Sequence, residues 1–515
     1  MKAKFFISGM LLFAVSQINA QTPTGTTTNF KTTVGLETGQ MEGPNVHVGY
    51  QAGMSSSETP NPAGAVIGIP SNNSFVGFQA GKANYNGSNN TFLGFQSGLN
   101  NYNADKNMFL GAQSGYSNTN GEYNVFLGYQ AGFSNISSSN CTFTGYQAGY
   151  NCKTNSNSFY GYQSGYTNIN GYQNTFSGYR SGYLSTGSYN SFYGYQSGYN
   201  NTGLNNVFFG VNSGYSNTGG NNNVFVGYNA GYLNTSNGAN TFVGFYSGYK
   251  NSSDYNTFYG YSSGRNNTTG NMNVFLGSHS GYMNDTGAEN TFVGRNAGYS
   301  NVQGAGNIYM GLNSGFTNTT GSMNVMLGDR AGFSNVGSGN IFIGYEAGKD
   351  ELGSNKLYLA NSSTAAPLIY GDFSTGKVGI GGMNSFPANA GTIPVGTYKL
   401  FVKGGILTEE VRVHLANGWA DYVFADSYKL PALKDVEKYI ADNGHLPNVP
   451  SAKEVKENGI ELGQMANIQQ EKIEELTLYA IQQNKQIEAQ KSQLEQQQKE
   501  IDELKAAVKA LAAKQ

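Results

Sequence analysis

Four histidines, two cysteines and a serine two residues before a lysine are the side chains whose types could do chemistry here, and their spacing limits what that chemistry is. His47, His279, His414 and His445 are scattered, with no pair close enough in sequence to suggest two imidazoles on one metal ion. Cys141 and Cys152 are the only cysteines, so a disulfide framework does not hold this chain together. They occupy different positions of the repeat described below, stacking of repeats does not bring them together, and buried free thiols are favoured over a bridge. A glycosidase needs two placed carboxylates, yet residues 44–348 hold only eight Asp and Glu, none at a fixed repeat position. The glycine-rich stretches lack the basic residue that a phosphate loop requires. Asp-rich nonapeptide loops of the kind that bind calcium are missing. No catalytic, cofactor-binding or metal-binding residue is assigned, no cofactor is implied, and an enzyme is not expected.

The elements that carry these residues are unusual. Only 12% of the 515 residues are charged, against about 25% in ordinary globular proteins. Gly (72) and Tyr (37) are abundant while Pro (11) is scarce, which excludes a collagen-like chain, and 13% aromatics argues against disorder. A net charge of −2 gives no electrostatic reason to expect nucleic acid or an anionic membrane as partner. At the N-terminus, Lys2 and Lys4 precede an apolar run and small residues ending at Ala20, the layout of a secretory signal peptide. No Cys follows it to carry a lipid anchor, and no later apolar run reaches the roughly 20 residues of a transmembrane segment.

Aligning the first Gly of each G-x-x-[AS]-G places Gly77, Gly94, Gly111 and fourteen more, through Gly344, at steps of 16 or 17 residues, with Gly49 as a degenerate earlier copy. Counted from that Gly as zero, position −2 is Phe in fifteen of seventeen copies, the others being Tyr309 and Met326. Position −4 is Asn in all but the Cys141 copy, +3 is Ala or Ser, and +4 is Gly. Alternation at −4, −2 and 0 is that of a strand with one buried face. The Gly pair supplies a tight reversal. Each copy therefore reads as one rung of a β-solenoid, with two short strands, an inward Phe and a ladder of stacked Asn. A rung this short encloses little volume, so a lone chain is expected to leave its Phe stripe uncovered and three chains side by side to bury it. Tyr129, Tyr146, Tyr162, Tyr179, Tyr195, Tyr228 and Tyr261 fall at +1, with parity that points outward. Rings there stack on one another along the solenoid or offer a stripe to sugars or proteins, and mutual stacking is the favoured reading.

Phrases such as "NTFVG" and "NVFLG", over residues 73–349, resemble the left-handed parallel β-roll heads of trimeric autotransporter adhesins. The present rungs are slightly longer, use Phe where those heads favour smaller aliphatics and carry a second fixed Gly. The resemblance implies a trimeric, surface-exposed protein of a Gram-negative bacterium, although the membrane-anchoring β-barrel of that family is missing.

After the repeats the composition changes: 14 of the 29 Lys and Arg lie in residues 401–515. Residues 350–395 read as a β-rich connector. Ile473, Ala480, Ile487, Leu494, Ile501 and Val508 recur every seventh residue, with Leu476, Gln483, Gln490, Gln497, Leu504 and Leu511 three places on. That is a coiled coil with three Gln layers, for which a trimer is the best fit and a dimer the next. "YKLFVKGG", "WADYVF", "HLPNVPSAKEV" and "IEELTLYAI" resemble a tail-fibre C-terminal domain related to the endosialidase intramolecular chaperone. The self-cleaving members of that family use a Ser-Asp pair followed by a Lys. Here Ala420 precedes Asp421, and Ser427 with Lys429 matches the motif weakly, so self-cleavage is not expected.

The sequence thus divides into a signal peptide (1–20), an N-terminal segment (21–72), an all-β solenoid (73–349), the connector (350–395), a small α+β domain (396–464) and a coiled coil (465–515). The function it points to is a secreted or cell-surface fibre, trimeric, with a structural or adhesive role and a surface glycan or protein as partner. The rivals are a glycan-binding module and a self-processing tail-spike protein.

Overall fold

A computed structural model describes residues 31–34, 44–54, 70–414 and 418–513. The signal-peptide segment lies outside the described residues. The described chain falls into two compact units, residues up to 376 with 382–384, and residues 377–381 with 385 onward.

The first unit is a parallel β-solenoid. Each repeat contributes one three-residue strand, such as Thr175–Ser177, Ser191–Tyr193 and Val207–Phe209, and successive strands pair in register so that Phe176, Phe192 and Phe208 lie directly over one another. Strands Lys31–Val34 and Asn45–Val48 extend the ladder at one end and Lys356–Leu359 at the other. There Ile369–Asp372 turns back antiparallel and closes the last rung.

The expected second strand is not formed. Two conformational demands explain why. The Gly at zero adopts φ of +116° to +141° within the seventeen repeats, and at Gly227 a Cβ would stand 2.4 Å from the carbonyl oxygen of Gly244 in the next rung. The Gly at +4 lies in the left-handed region, and at Gly231 a Cβ would meet the Phe225 ring at 2.5 Å. Residue +2 between them is left-handed as well, for instance Gln130 at φ 53°. Alternating left-handed residues curl the chain into consecutive turns instead of a strand, yet its N–H groups still bond rung to rung, as from Gln130 to Ala112 O at 2.9 Å.

That curl also corrects the expectation about the phenylalanines. Every ring at −2 is fully buried within a single chain, because the +4 Gly and the small residue at +3 form the opposite wall of the rung. From Phe75 to Tyr309 consecutive rings stack at 4.7–4.9 Å with planes within 3–11° of parallel. His47 extends the column at one end, 5.2 Å from Phe75, and Tyr358 stands edge-on to Phe342 at 5.4 Å at the other. No neighbouring chain is needed to cover this column.

In the second unit, a short turn of helix (Ala420–Phe424) and helices α1 (Leu433–Asn443) and α2 (Ala452–Asn458) precede α3, a single helix of 51 residues (Leu462–Ala512). Helix α2 starts with a capping box between Ser451 and Glu454, as its S-x-x-E sequence dictates. No helix among the described residues is long and apolar enough to cross a membrane.

Candidate functional surface

Two asparagine columns run through the rung interior. In the column at −4, each side chain accepts from the backbone N–H of its counterpart one rung on, as Asn206 Oδ1 does from Asn223 N–H at 2.9 Å. A second column runs at +7, where Asn118 Nδ2 donates to Asn101 Oδ1 at 2.8 Å and Asn101 Nδ2 to Asn84 Oδ1 at 2.7 Å. Sequence reasoning found the first and passed over the second, although Asn recurs at +7 in fourteen of seventeen copies. Most Ser hydroxyls at +3 reach the carbonyl of the next rung's core residue, as from Ser197 to Phe208 O at 3.1 Å, while Ser114 and Ser213 turn to Gly111 O and Gly210 O of their own rung. The −4 amides satisfy one another along the axis, whereas the +7 column is interrupted, with Asn118 Oδ1, Asn135 Nδ2 and Asn168 Nδ2 buried without a partner among the described residues.

The outer face of the turns carries three parallel rows. At +1, Tyr129, Tyr146, Tyr162, Tyr179 and Tyr195 point outward as expected, and their rings stack at 4.9–5.2 Å. At +5, Tyr150, Tyr166, Tyr183, Tyr199 and Tyr215 form a second row, at 5.0–5.1 Å. Between them a ladder of glutamine amides at +2 runs from Gln51 to Gln163, ending where Arg180 Nε donates to Gln163 Oε1 at 2.9 Å. The Arg180 guanidinium lies over both flanking rings, 5.3 Å from Tyr179 and 5.2 Å from Tyr183. Partial burial and the neighbouring phenols raise the Tyr166 hydroxyl above the usual range.

This geometry decides what the rows offer. Each ring face is occupied by the next ring, so solvent meets ring edges, phenol hydroxyls and amides. A sugar cannot lie flat on the interior of such a row. The +5 row breaks at Arg265, whose guanidinium lies 4.7 Å from the Tyr246 ring and whose Nη1 donates to Tyr282 OH at 3.3 Å. Next to the break, His279 is held below its usual range by partial burial and by Arg295 and Arg265.

The other residues with chemical potential do not converge. His47 is buried at the end of the phenylalanine column, His279 sits on the outer face, His414 is exposed and His445 packs edge-on against Tyr439. Among the described residues no three His, Cys, Asp or Glu gather as a metal would need. Ser427 and Lys429 are both exposed, and no hydrogen bond joins them among the described residues. Cys141 and Cys152 are buried free thiols, but the curl of one rung brings them side by side.

In the second unit a polar knot fastens α3 to the segment before it. Tyr422 bonds to Glu471 and Tyr428 to Glu475, while Lys472 Nζ lies 2.8 Å from both carboxylates. The bond to Glu471, with burial and the carboxylates around it, pushes the Tyr422 hydroxyl up to about 12. Burial pulls Glu471 upward, but Lys472, Tyr422 and Asn448 outweigh it and hold the carboxyl below its usual range. The depressed Glu471 contributes stability above the unfolded value near 4.5, lost as pH falls through the folded one. The raised Tyr422 contributes below its unfolded value of 10.0, lost as pH rises from there to about 12. Fluorescence of Trp419, the only Trp and the residue preceding the Ala420 turn, should hold a plateau near neutrality and change at both extremes. A flat trace through the acid and alkaline limits contradicts this.

The chain matches no protein-family model and no curated protein, so neither the adhesin-head resemblance nor the tail-fibre resemblance is joined by a family assignment.

Proposed function

We propose that the chain is a secreted or cell-surface fibrous protein of a Gram-negative bacterium, a stiff solenoid shaft held as a homotrimer through α3, with a structural or adhesive role. The observation that carries this reading is repetition: seventeen near-identical rungs, about 80 Å of solenoid at about 4.8 Å per rung, present the same outer rows again and again. A surface repeated in this way suits many weak contacts with a partner that is itself extended, such as a host or cell-surface protein or glycan. Two features support association. The heptad stripe of α3 is uncovered, with Ile487, Leu494 and Val508 each more than half exposed. The outward strand positions −3 and −1 carry no charged residue in any of the seventeen repeats, and Leu93, Phe209 and Tyr259 stand well out in solvent there. Glycan binding is the second reading, favoured by the phenol and amide rows and by the exposed end of the +1 row at Tyr261.

Light scattering on the purified full chain tests the assembly. Three times the 55.0 kDa chain mass is expected, less the leader if it is removed. A monomer at micromolar concentration overturns the trimer.

A further inference from the structure

The two asparagine columns are not independent, because within one repeat they converge on a single carbonyl. Asn73 at −4 and Asn84 at +7 both donate through Nδ2 to Gly87 O, at 2.9 and 2.8 Å. Asn290 and Asn301 share Gly304 O in the same way, at 2.8 and 3.0 Å. One repeat, that of Gly145, has lost both asparagines, and both replacements are cysteine. The Gly178 repeat, by contrast, lacks only the +7 Asn, with Ser185 in its place. Cys141 Sγ and Cys152 Sγ donate to the same carbonyl, Thr154 O, at 3.4 and 3.6 Å. Both residues are fully buried. The neighbouring Cys152 sulfur, together with burial, raises the Cys141 thiol well above its usual range.

A thiol is a weak substitute for an amide in such a column. Losing both amides from one rung weakens it unless something replaces their bonds, and the two columns place the replacements against each other. We propose that Cys141 and Cys152 form a disulfide that closes this rung, with a small-molecule or protein disulfide as oxidant. One cysteine thiolate attacks the oxidant's S–S bond, forming a mixed disulfide and releasing one thiolate. The second cysteine, also deprotonated, attacks the protein-side sulfur, forming the Cys141–Cys152 bond and releasing the second thiolate. The protein loses two protons and two electrons, and the oxidant leaves as two thiols. Because both sulfurs are sealed in the stacked rung, the exchange occurs before neighbouring rungs close over it, and the finished bond is shielded from reductant.

The test is to refold the full chain in glutathione buffers of graded redox ratio, alkylate free thiols in denaturant, and map the peptides. Oxidative refolding should leave no alkylated cysteine and a Cys141–Cys152 link within one chain, two hydrogens lighter than the reduced form. The link should resist reductant about tenfold better in the folded chain than in chain kept in denaturant. The variant Cys141→Asn/Cys152→Asn, which restores both columns, should melt at the same temperature with and without reductant, whereas the wild type melts lower when reduced. Two alkylated thiols after oxidative refolding, glutathione left on either cysteine, chains linked to one another, or equal resistance in denaturant would each overturn the proposal. None of these outcomes depends on whether the shaft is trimeric.

Discussion

Phe208→Asp should open the solenoid at its middle. The ring lies 4.8 Å from Phe192 and 4.9 Å from Phe225, is fully buried, and rests against Gly214. Truncating a buried Phe costs about 3–5 kcal/mol through lost burial and the cavity left behind, and an unpaired carboxylate in that cavity adds several more. In a solenoid each rung contacts only its neighbours, so the damage should stay near the substitution. Limited proteolysis is the direct measurement, with new cleavage expected in the rungs around residue 208 and the flanking stretches still protected. Phe208→Leu, which keeps the site apolar, separates loss of ring stacking from the charge and should be much milder. Proteolysis and circular dichroism identical to wild type for Phe208→Asp would show that the column does not hold the rungs together.

The severity of that prediction comes from the structure, whereas its location was already legible in the repeat. Period-two spacing of Asn, Phe and Gly fixed which side chains point inward, and the parity of the +1 tyrosines fixed their outward direction. The turn after the Gly was harder to read, because three left-handed residues at zero, +2 and +4 act together. The middle one is mostly Gln, Arg or another residue with no local signal of positive φ, and Asn, which tolerates it, stands there in only four of the seventeen copies. The pattern alone suggests a second strand in a segment that in fact curls. The same error made the phenylalanines look half covered, since a flat two-strand rung has no wall where +3 and +4 close the interior. The +7 asparagines and the meeting of Cys141 with Cys152 follow from that curl as well. In the second unit, the heptads gave α3 its extent to within a few residues. The Tyr422–Glu471 and Tyr428–Glu475 bonds join groups 49 and 47 residues apart, a separation that no periodicity marks.

Because a single chain already covers its phenylalanine column, the proposed trimer would draw its chain number from α3. Its a positions are all apolar, with Ala480 the smallest, and its d positions are Leu at either end with Gln483, Gln490 and Gln497 between them, all three solvent-exposed in the single chain. Placed in the core of a coiled coil, each Gln layer must find partners among its symmetry mates, which weakens association and fixes register. Replacing all three by Leu turns polar layers into apolar ones, each worth about 1–2 kcal/mol per chain on burial. The melting temperature of the helical signal should rise. Control over chain number should loosen at the same time, so that light scattering on the variant finds a mixture of species where the wild type gives one. If instead the variant melts lower and stays a single species, the glutamine layers are bonded well enough to stabilise the bundle in their own right. If both proteins remain monomeric, the heptad stripe of α3 is not where chains meet.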